Sequence, residues 1–243
     1  MALRDDIQDE LKFRGEQALD QLDQRGGLVE FHKWFLFRNV PQGLSWLHTL
    51  GFCLLMVFVN QAVTGSILAM HYQPGADTAY ESIQRITMDF DFGWLVRGMH
   101  KWGASLMIVL MFLHMAASFM MGAYKYPREL TWISGVLILV TVLGMGLTGY
   151  LLVWDQRAFW ASVVAINLNG TAPFLGPYIS EFLRGGATYT AQIIPRFYAL
   201  HMLLIPGALM GLIGLHMYLV TRLGVSPAPW KHDDPSNDPE AWS

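Results

Sequence analysis

Apolar and polar positions fall into long blocks along this 243-residue chain instead of alternating. Residues 44–70, 102–123, 131–154 and 197–221 contain no Asp, Glu, Lys or Arg. Each run has 22 residues or more, and about 20 suffice to cross the hydrocarbon core as a helix. A buried helix of a soluble protein is rarely that long, and four in one chain predict four membrane spans. We place them at 44–70 (span A), 93–123 (B), 131–154 (C) and 196–221 (D). The fold class expected is all-α, a transmembrane four-helix bundle.

Outside the spans the pattern changes. Residues 1–43 form an N-terminal segment in which Leu3, Ile7, Leu11, Ala18 and Leu22 recur at roughly helical spacing among charges. This predicts an amphipathic helix at the membrane interface or against a partner. No apolar stretch marks it as a signal peptide. The bundle then occupies 44–225 and a polar tail rich in Pro, Asp and Ser follows over 226–243. Loops are expected at 71–92, at the tight "YKYPREL" turn (124–130) and over 155–195. Within the last, "FLGPYISEFLRGG" has short-helix character and predicts packing on the membrane surface. Pro195 suits the first turn of span D, and Pro206 predicts a kink inside it.

Composition sharpens this. Hydrophobic residues make up 53% of the chain and charged residues 14%, against about 25% charged in soluble domains. A net charge of −3 gives no reason to expect nucleic acid as a partner. The single cysteine, Cys53, excludes an internal disulfide, a CxxCH haem attachment and a cysteine-rich metal cluster. Four spans put both termini on one side. Lys33, Arg38, Lys125, Arg128, Arg222 and Lys231 on that side, against Arg85, Arg97, Arg157, Arg184 and Arg196 on the other, place the termini on the cytoplasmic, negative side.

The candidate chemistry lies in histidines that an apolar helix has no structural need for. Span B carries His100 and His114, fourteen residues apart; span D carries His201 and His216, fifteen apart. B and D run in the same direction, so the bundle offers two His–His pairs at two depths, ~21 Å apart at 1.5 Å per residue. Fourteen residues is close to four full turns, whereas fifteen overshoots by ~60°, an excess that a kink at Pro206 would absorb. Two facing imidazoles in an apolar bundle suit a haem iron held from both sides. Zinc would want more ligands than each level supplies.

Gly51 and Gly65 in span A are fourteen apart, as are Gly135 and Gly149 in span C. Running opposite to B and D, these helices bring Gly65 and Gly149 to the His100/His201 level, and Gly51 and Gly135 to the His114/His216 level. A flat macrocycle between four helices needs places without a side chain. Arg97 and Arg196, with Lys101, stand at the right end to meet the propionates of an outer haem. Irons with both axial positions filled relay electrons. No carboxylate within the spans offers a proton path, so protons would travel on a mobile carrier, which points to quinone.

The motifs "FGWLVRGMHKW", "YPRELTWISGV", "GLTGYLLVWDQ" and "IPRFYALH" resemble the cytochrome b family, and in particular its N-terminal four-helix half in the split, b6-like form. The resemblance covers about residues 30–225. It implies a subunit of a bc-type quinol oxidoreductase that passes electrons to a c-type cytochrome, and is inactive alone. Its partners would be a Rieske iron–sulfur protein, a c-type cytochrome and a separate C-terminal cytochrome b half, in a homodimeric complex of an energy-transducing membrane such as the bacterial inner membrane. His100 and His201 would hold a low-potential, non-covalent b-type haem, and His114 and His216 a high-potential one. Phe159, Trp160 and Ala161 would line the quinol-oxidation site. A second quinone site would lie near the high-potential haem. Two positions depart from the family. Thr49 stands where b6 carries the cysteine of a covalent third haem, which argues against that haem, and Ala117 stands where relatives place an Arg after the second ligand. The alternative reading is a dihaem membrane anchor linking quinone to a dehydrogenase or hydrogenase.

Overall fold

The computed structural model describes residues 10, 12–18, 20–21 and 44–226. The described residues of the N-terminal segment are helical and exposed. They carry an ion pair from Arg14 to Glu10 at 2.7 Å, spaced one helical turn apart. Leu3, Ile7, Leu11 and Leu22 of the expected amphipathic stripe, and the tail from 227 onward, lie outside the described residues.

The main unit is helical throughout its secondary structure. A 3₁₀ turn (Trp46–Thr49) leads into α1 (Leu50–Ala69), followed by α2 (Ala79–Met88), α3 (Gly93–Met120) and α4 (Glu129–Leu151). Then come α5 (Gln156–Gly170), α6 (Gly176–Arg184), α7 (Ile193–Ala199), a π-helical turn (Leu200–Leu204) and α8 (Ile205–Leu223). Four stretches are long and apolar enough to cross a membrane: Trp46–Ala69, Gly93–Met120, Glu129–Leu151 and Ile193–Leu223. They correspond to spans A to D.

Two loops of the sequence reading contain helices. Residues 71–92 hold α2, whose buried face (Ala79, Ser82, Ile86) includes a polar residue, so apolar positions alone do not mark it. Residues 155–195 hold α5 and α6. Asp155 caps α5 by accepting from the Ala158 N–H at 2.8 Å, and Gly185 ends α6 in the left-handed region at φ 79°, where glycine carries no steric penalty. α6 is the short helix that "FLGPYISEFLRGG" predicts.

The spans do not pack evenly. α1 lies closely against α3, and α4 against α8, while α3 and α8 make little direct contact. The two histidine-bearing helices are therefore held apart by two helix pairs. Leu54, Met107, Met111, Ile138, Val142 and Leu209 form a buried apolar layer midway along the bundle. A second cluster of Leu151, Leu152, Ile166, Ile193 and Phe197 locks α5 and α7 over one end. Outward faces stay strongly apolar, with Phe52, Val63, Phe112 and Val140 exposed, as lipid or partner helices require.

Candidate functional site

His100 on α3 and His201 in the π-helical turn before α8 face each other. Their ring centroids are 6.4 Å apart and the planes are crossed at 83°. A metal atom bonded at about 2 Å to one nitrogen of each ring fits within that separation. Each glycine lies against the histidine of its own level. A Cβ added at Gly65 would stand 3.0 Å from His100 Cε1, and one at Gly149 2.6 Å from His201 Cε1. At the other level the distances are 3.3 Å from Gly51 to His114 Cε1 and 3.5 Å from Gly135 to His216 Cε1. At Gly149 and Gly65 the imidazole edge itself leaves little or no room for a side chain, whereas at Gly135 the contact is an ordinary one.

The residue before three of these glycines carries a hydroxyl that meets a histidine Nδ1. The distances are 3.0 Å for Thr64 with His100, 3.0 Å for Thr148 with His201 and 2.9 Å for Ser134 with His216. Each hydroxyl has one hydrogen, and a backbone carbonyl already takes it: Asn60 O at 2.6 Å, Gly144 O at 2.8 Å and Thr131 O at 2.8 Å. The hydroxyl oxygen therefore accepts, and Nδ1–H donates to it. That fixes the tautomer and leaves the Nε2 lone pair of each ring for a ligand. The sequence reading missed this, although Thr-Gly, Ser-Gly and Thr-Gly at 64–65, 134–135 and 148–149 carried the signal.

The fifteen-residue interval is absorbed differently from the sequence expectation. Residues 200–204 form a π-helical turn, closed by the Ile205 N–H to Leu200 O, and His201 sits inside it. A π turn bonds i to i+5 and so takes up about one residue more than an α turn. His201 and His216 thereby span the same turns as His100 and His114. Pro206 is the local cause, because it has no N–H to continue the α ladder. A wider turn beside Pro206 thus supplies the compensation.

At the inner level a largely apolar cavity of about 320 Å³ opens between His114 and His216. Gly51, Gly135 and Met111 line it, and Arg128, His48 and Ser226 lie at its end. Arg128 donates weakly to Leu223 O at 3.3 Å and to Gly224 O at 3.4 Å. Burial lowers its pKa from the ordinary arginine value, and no carboxylate pairs with it among the described residues. Ala117, where the family pattern leads one to expect a cation, is buried; among the described residues Arg128, from the "YPREL" turn, brings a cation to this cavity. His48 is held by Ser45 on one side and donates from Nε2 to Ser226 O at 3.2 Å on the other.

The outer cations each touch a protein group. Arg97 donates to Thr87 Oγ1 of α2 at 3.1 Å. Arg196 donates to Gln192 O at 2.7 Å and packs against Gly185, where an added Cβ would strike its guanidinium. Lys101 lies 5.8 Å from the Trp102 ring. None of the three is in hydrogen-bond contact with His100 or His201. Phe159 and Trp160 stand edge to face at 5.3 Å on α5, and Ala161 joins the cluster that fastens α5 to the bundle. Cys53 is exposed, and Thr49 donates to Trp46 O at 2.6 Å.

Among the described residues no three of His, Cys, Asp and Glu come together as a metal-binding group. The donors come in pairs, and paired Nε2 atoms with cleared glycine edges fit a haem bound axially by two imidazoles.

A family model described as cytochrome b/b6/petB matches residues 36–224. The menaquinol:cytochrome c reductase cytochrome b subunit of Geobacillus thermodenitrificans is 38% identical over 215 residues, covering 85% of this chain and 96% of that one. Cytochrome b6 of Heliobacterium modesticaldum is 39% identical over 183 residues, 75% of this chain and 86% of that one. Among solved structures, a chain of a hyperthermophilic respiratory Complex III superposes with a TM-score of 0.78 at 29% identity. The match covers 91% of this chain and 59% of that longer one.

Proposed function

The chain belongs to the cytochrome b/b6 family, and from that premise we propose that it is the electron-transfer subunit of a quinol:cytochrome c oxidoreductase, carrying electrons across the membrane between two b-type haems. The family implies an integral membrane protein that binds b-type haem. In our reading His100 and His201 would hold one haem through Nε2, and His114 and His216 the other. So bound, haem supplies one-electron relay chemistry with no axial position left for substrate. The observation that carries this reading is the crossed His100–His201 pair at 6.4 Å with both Nδ1 atoms committed to threonine hydroxyls.

The chain's own residues divide the remaining work. Thr64, Thr148 and Ser134 orient the imidazoles; Gly51, Gly65, Gly135 and Gly149 admit their edges. Arg128 brings a positive charge to the inner cavity, where Ala117 supplies none. Phe159, Trp160 and Ala161 are our candidates for one wall of a quinol-oxidation site. A Rieske protein, a c-type cytochrome and a separate C-terminal half are the partners proposed, and the termini are assigned to the negative side. Residues matching the b6 cysteine are absent, so no covalent third haem is included.

Haem quantification and a reduced-minus-oxidised spectrum of the purified complex test this. Two b-type haems per chain with separate midpoint potentials are expected. No haem would overturn the proposal, and co-purification with a dehydrogenase instead of a Rieske protein would favour the anchor.

A further inference from the structure

Four positions in this bundle are equivalent: the residue just before each glycine that admits an imidazole. They are Leu50, Thr64, Ser134 and Thr148, at 6%, 4%, 3% and 5% exposure, so all four side chains are equally enclosed. The imidazole presents the same edge at each, with Cε1 nearest the glycine. At the inner level Nδ1 lies 3.9 Å from the Cβ position of Gly51 for His114, where Nε2 is at 3.8 Å, and 3.9 Å from that of Gly135 for His216. What differs is chemistry. Three of the four offer a hydroxyl acceptor to Nδ1–H. The fourth residue is Leu50, whose side chain has no acceptor, and no hydrogen bond to His114 occurs among the described residues.

We propose that these hydroxyls tune the iron's potential through the imidazoles, and that Leu50, the one apolar member, raises the inner haem's potential above the outer one's. This rests on the reading that the four imidazoles hold haem. An Nδ1–H that donates to an acceptor makes its imidazole a more basic ligand. A more basic ligand favours oxidised over reduced iron and lowers the potential. Both outer ligands have such an acceptor, and only one inner ligand does. The difference drives electrons from the outer level towards the inner one. Leu50, Thr64, Ser134 and Thr148 are positioning residues: each acts through a histidine and touches no reacting atom.

The test is a redox titration of the intact complex with haem content measured on each sample. Leu50→Ser and Leu50→Ala remove similar volume and differ by one oxygen. Serine is expected to lower the inner midpoint relative to alanine, by up to ~59 mV for a tenfold change in a one-electron equilibrium, with the outer midpoint unmoved. Ser134→Ala should raise the inner midpoint, and Thr148→Val the outer one. Identical inner midpoints for Leu50→Ser and Leu50→Ala would overturn the proposal. So would unshifted potentials in Ser134→Ala and Thr148→Val, which decide alone if the Leu50 variants fail to assemble. The two layers of the argument separate cleanly: a wild-type complex without haem sinks the ligand reading, whereas full haem with unmoved potentials sinks only the hydroxyl proposal.

Discussion

The outer and inner ends of the bundle are built on one plan and finished differently. At the outer end both histidines have hydroxyl partners, the glycine edges approach to 3.0 and 2.6 Å, and α5 and α7 are locked over the top by a buried cluster. At the inner end one histidine has a hydroxyl partner, the glycine edges stand off at 3.3 and 3.5 Å, and a cavity opens towards Arg128 and His48. The same four-helix geometry thus yields a closed, rigidly specified level and a looser level with access. For the two haems we propose, this difference is useful, since identical sites would give electrons no preferred direction.

The largest effects should come from the ligands. His201→Leu is expected to abolish the outer haem and leave the inner one, and His216→Leu the reverse, each halving haem per chain in a pyridine haemochrome assay. Loss of both haems in each variant would mean the levels are not independent. Next comes the glycine contrast. Gly149→Ala places a methyl 2.6 Å from the His201 ring and should cost ~1–3 kcal/mol by overpacking, with weakened outer haem retention. Gly135→Ala meets His216 at 3.5 Å, an ordinary contact, and should keep its haem. Equal behaviour of the two would erase the distinction between tight and loose ends.

Smaller shifts should follow from charge and capping. Arg128→Gln removes the cation of the inner cavity and should lower the inner midpoint alone, since a nearby positive charge favours the reduced state; Arg128→Lys should restore most of it. A shift of the outer midpoint instead would show that Arg128 acts through the fold. The smallest effect expected is from Asp155→Ala, which removes the cap of α5. It should cost ~1 kcal/mol of local stability, read as faster hydrogen exchange over α5, with both haem spectra unchanged.

Much of this was legible from residue spacing, and the reasons are physical. The spans could be read because the hydrocarbon core imposes a length and forbids charge, so 102–123 and 131–154 could hardly be anything else. The levels could be read because fourteen residues complete close to four turns, which ties Gly51 and Gly65 to Gly135 and Gly149 without any knowledge of contacts. The short helix α2 was not legible, since its buried face includes Ser82 while the apolar Tyr80 and Met88 are exposed. The hydroxyl partners were missed for another reason. Thr64, Ser134 and Thr148 look like ordinary small residues of a membrane helix, and only the position of the facing ring reveals their use. Arg128 was seen only as a loop cation, because its reach back into the bundle depends on how the turn before α4 folds.

The π-helical turn at Leu200–Leu204 carries a lesson for recognising such bundles at all. What matters to a ligand pair is how many times the helix has wound between them, and a wide turn lets the residue count change while the winding stays fixed. A search that demands one fixed interval between histidines would discard this chain, although its rings are aligned. Deleting one residue such as Leu203, which is 71% exposed, should let the helix close into ordinary α turns with His201 and His216 still in phase. In this sense the bundle tolerates a unit of length, and chains differing by one residue here belong on the same page of a comparison.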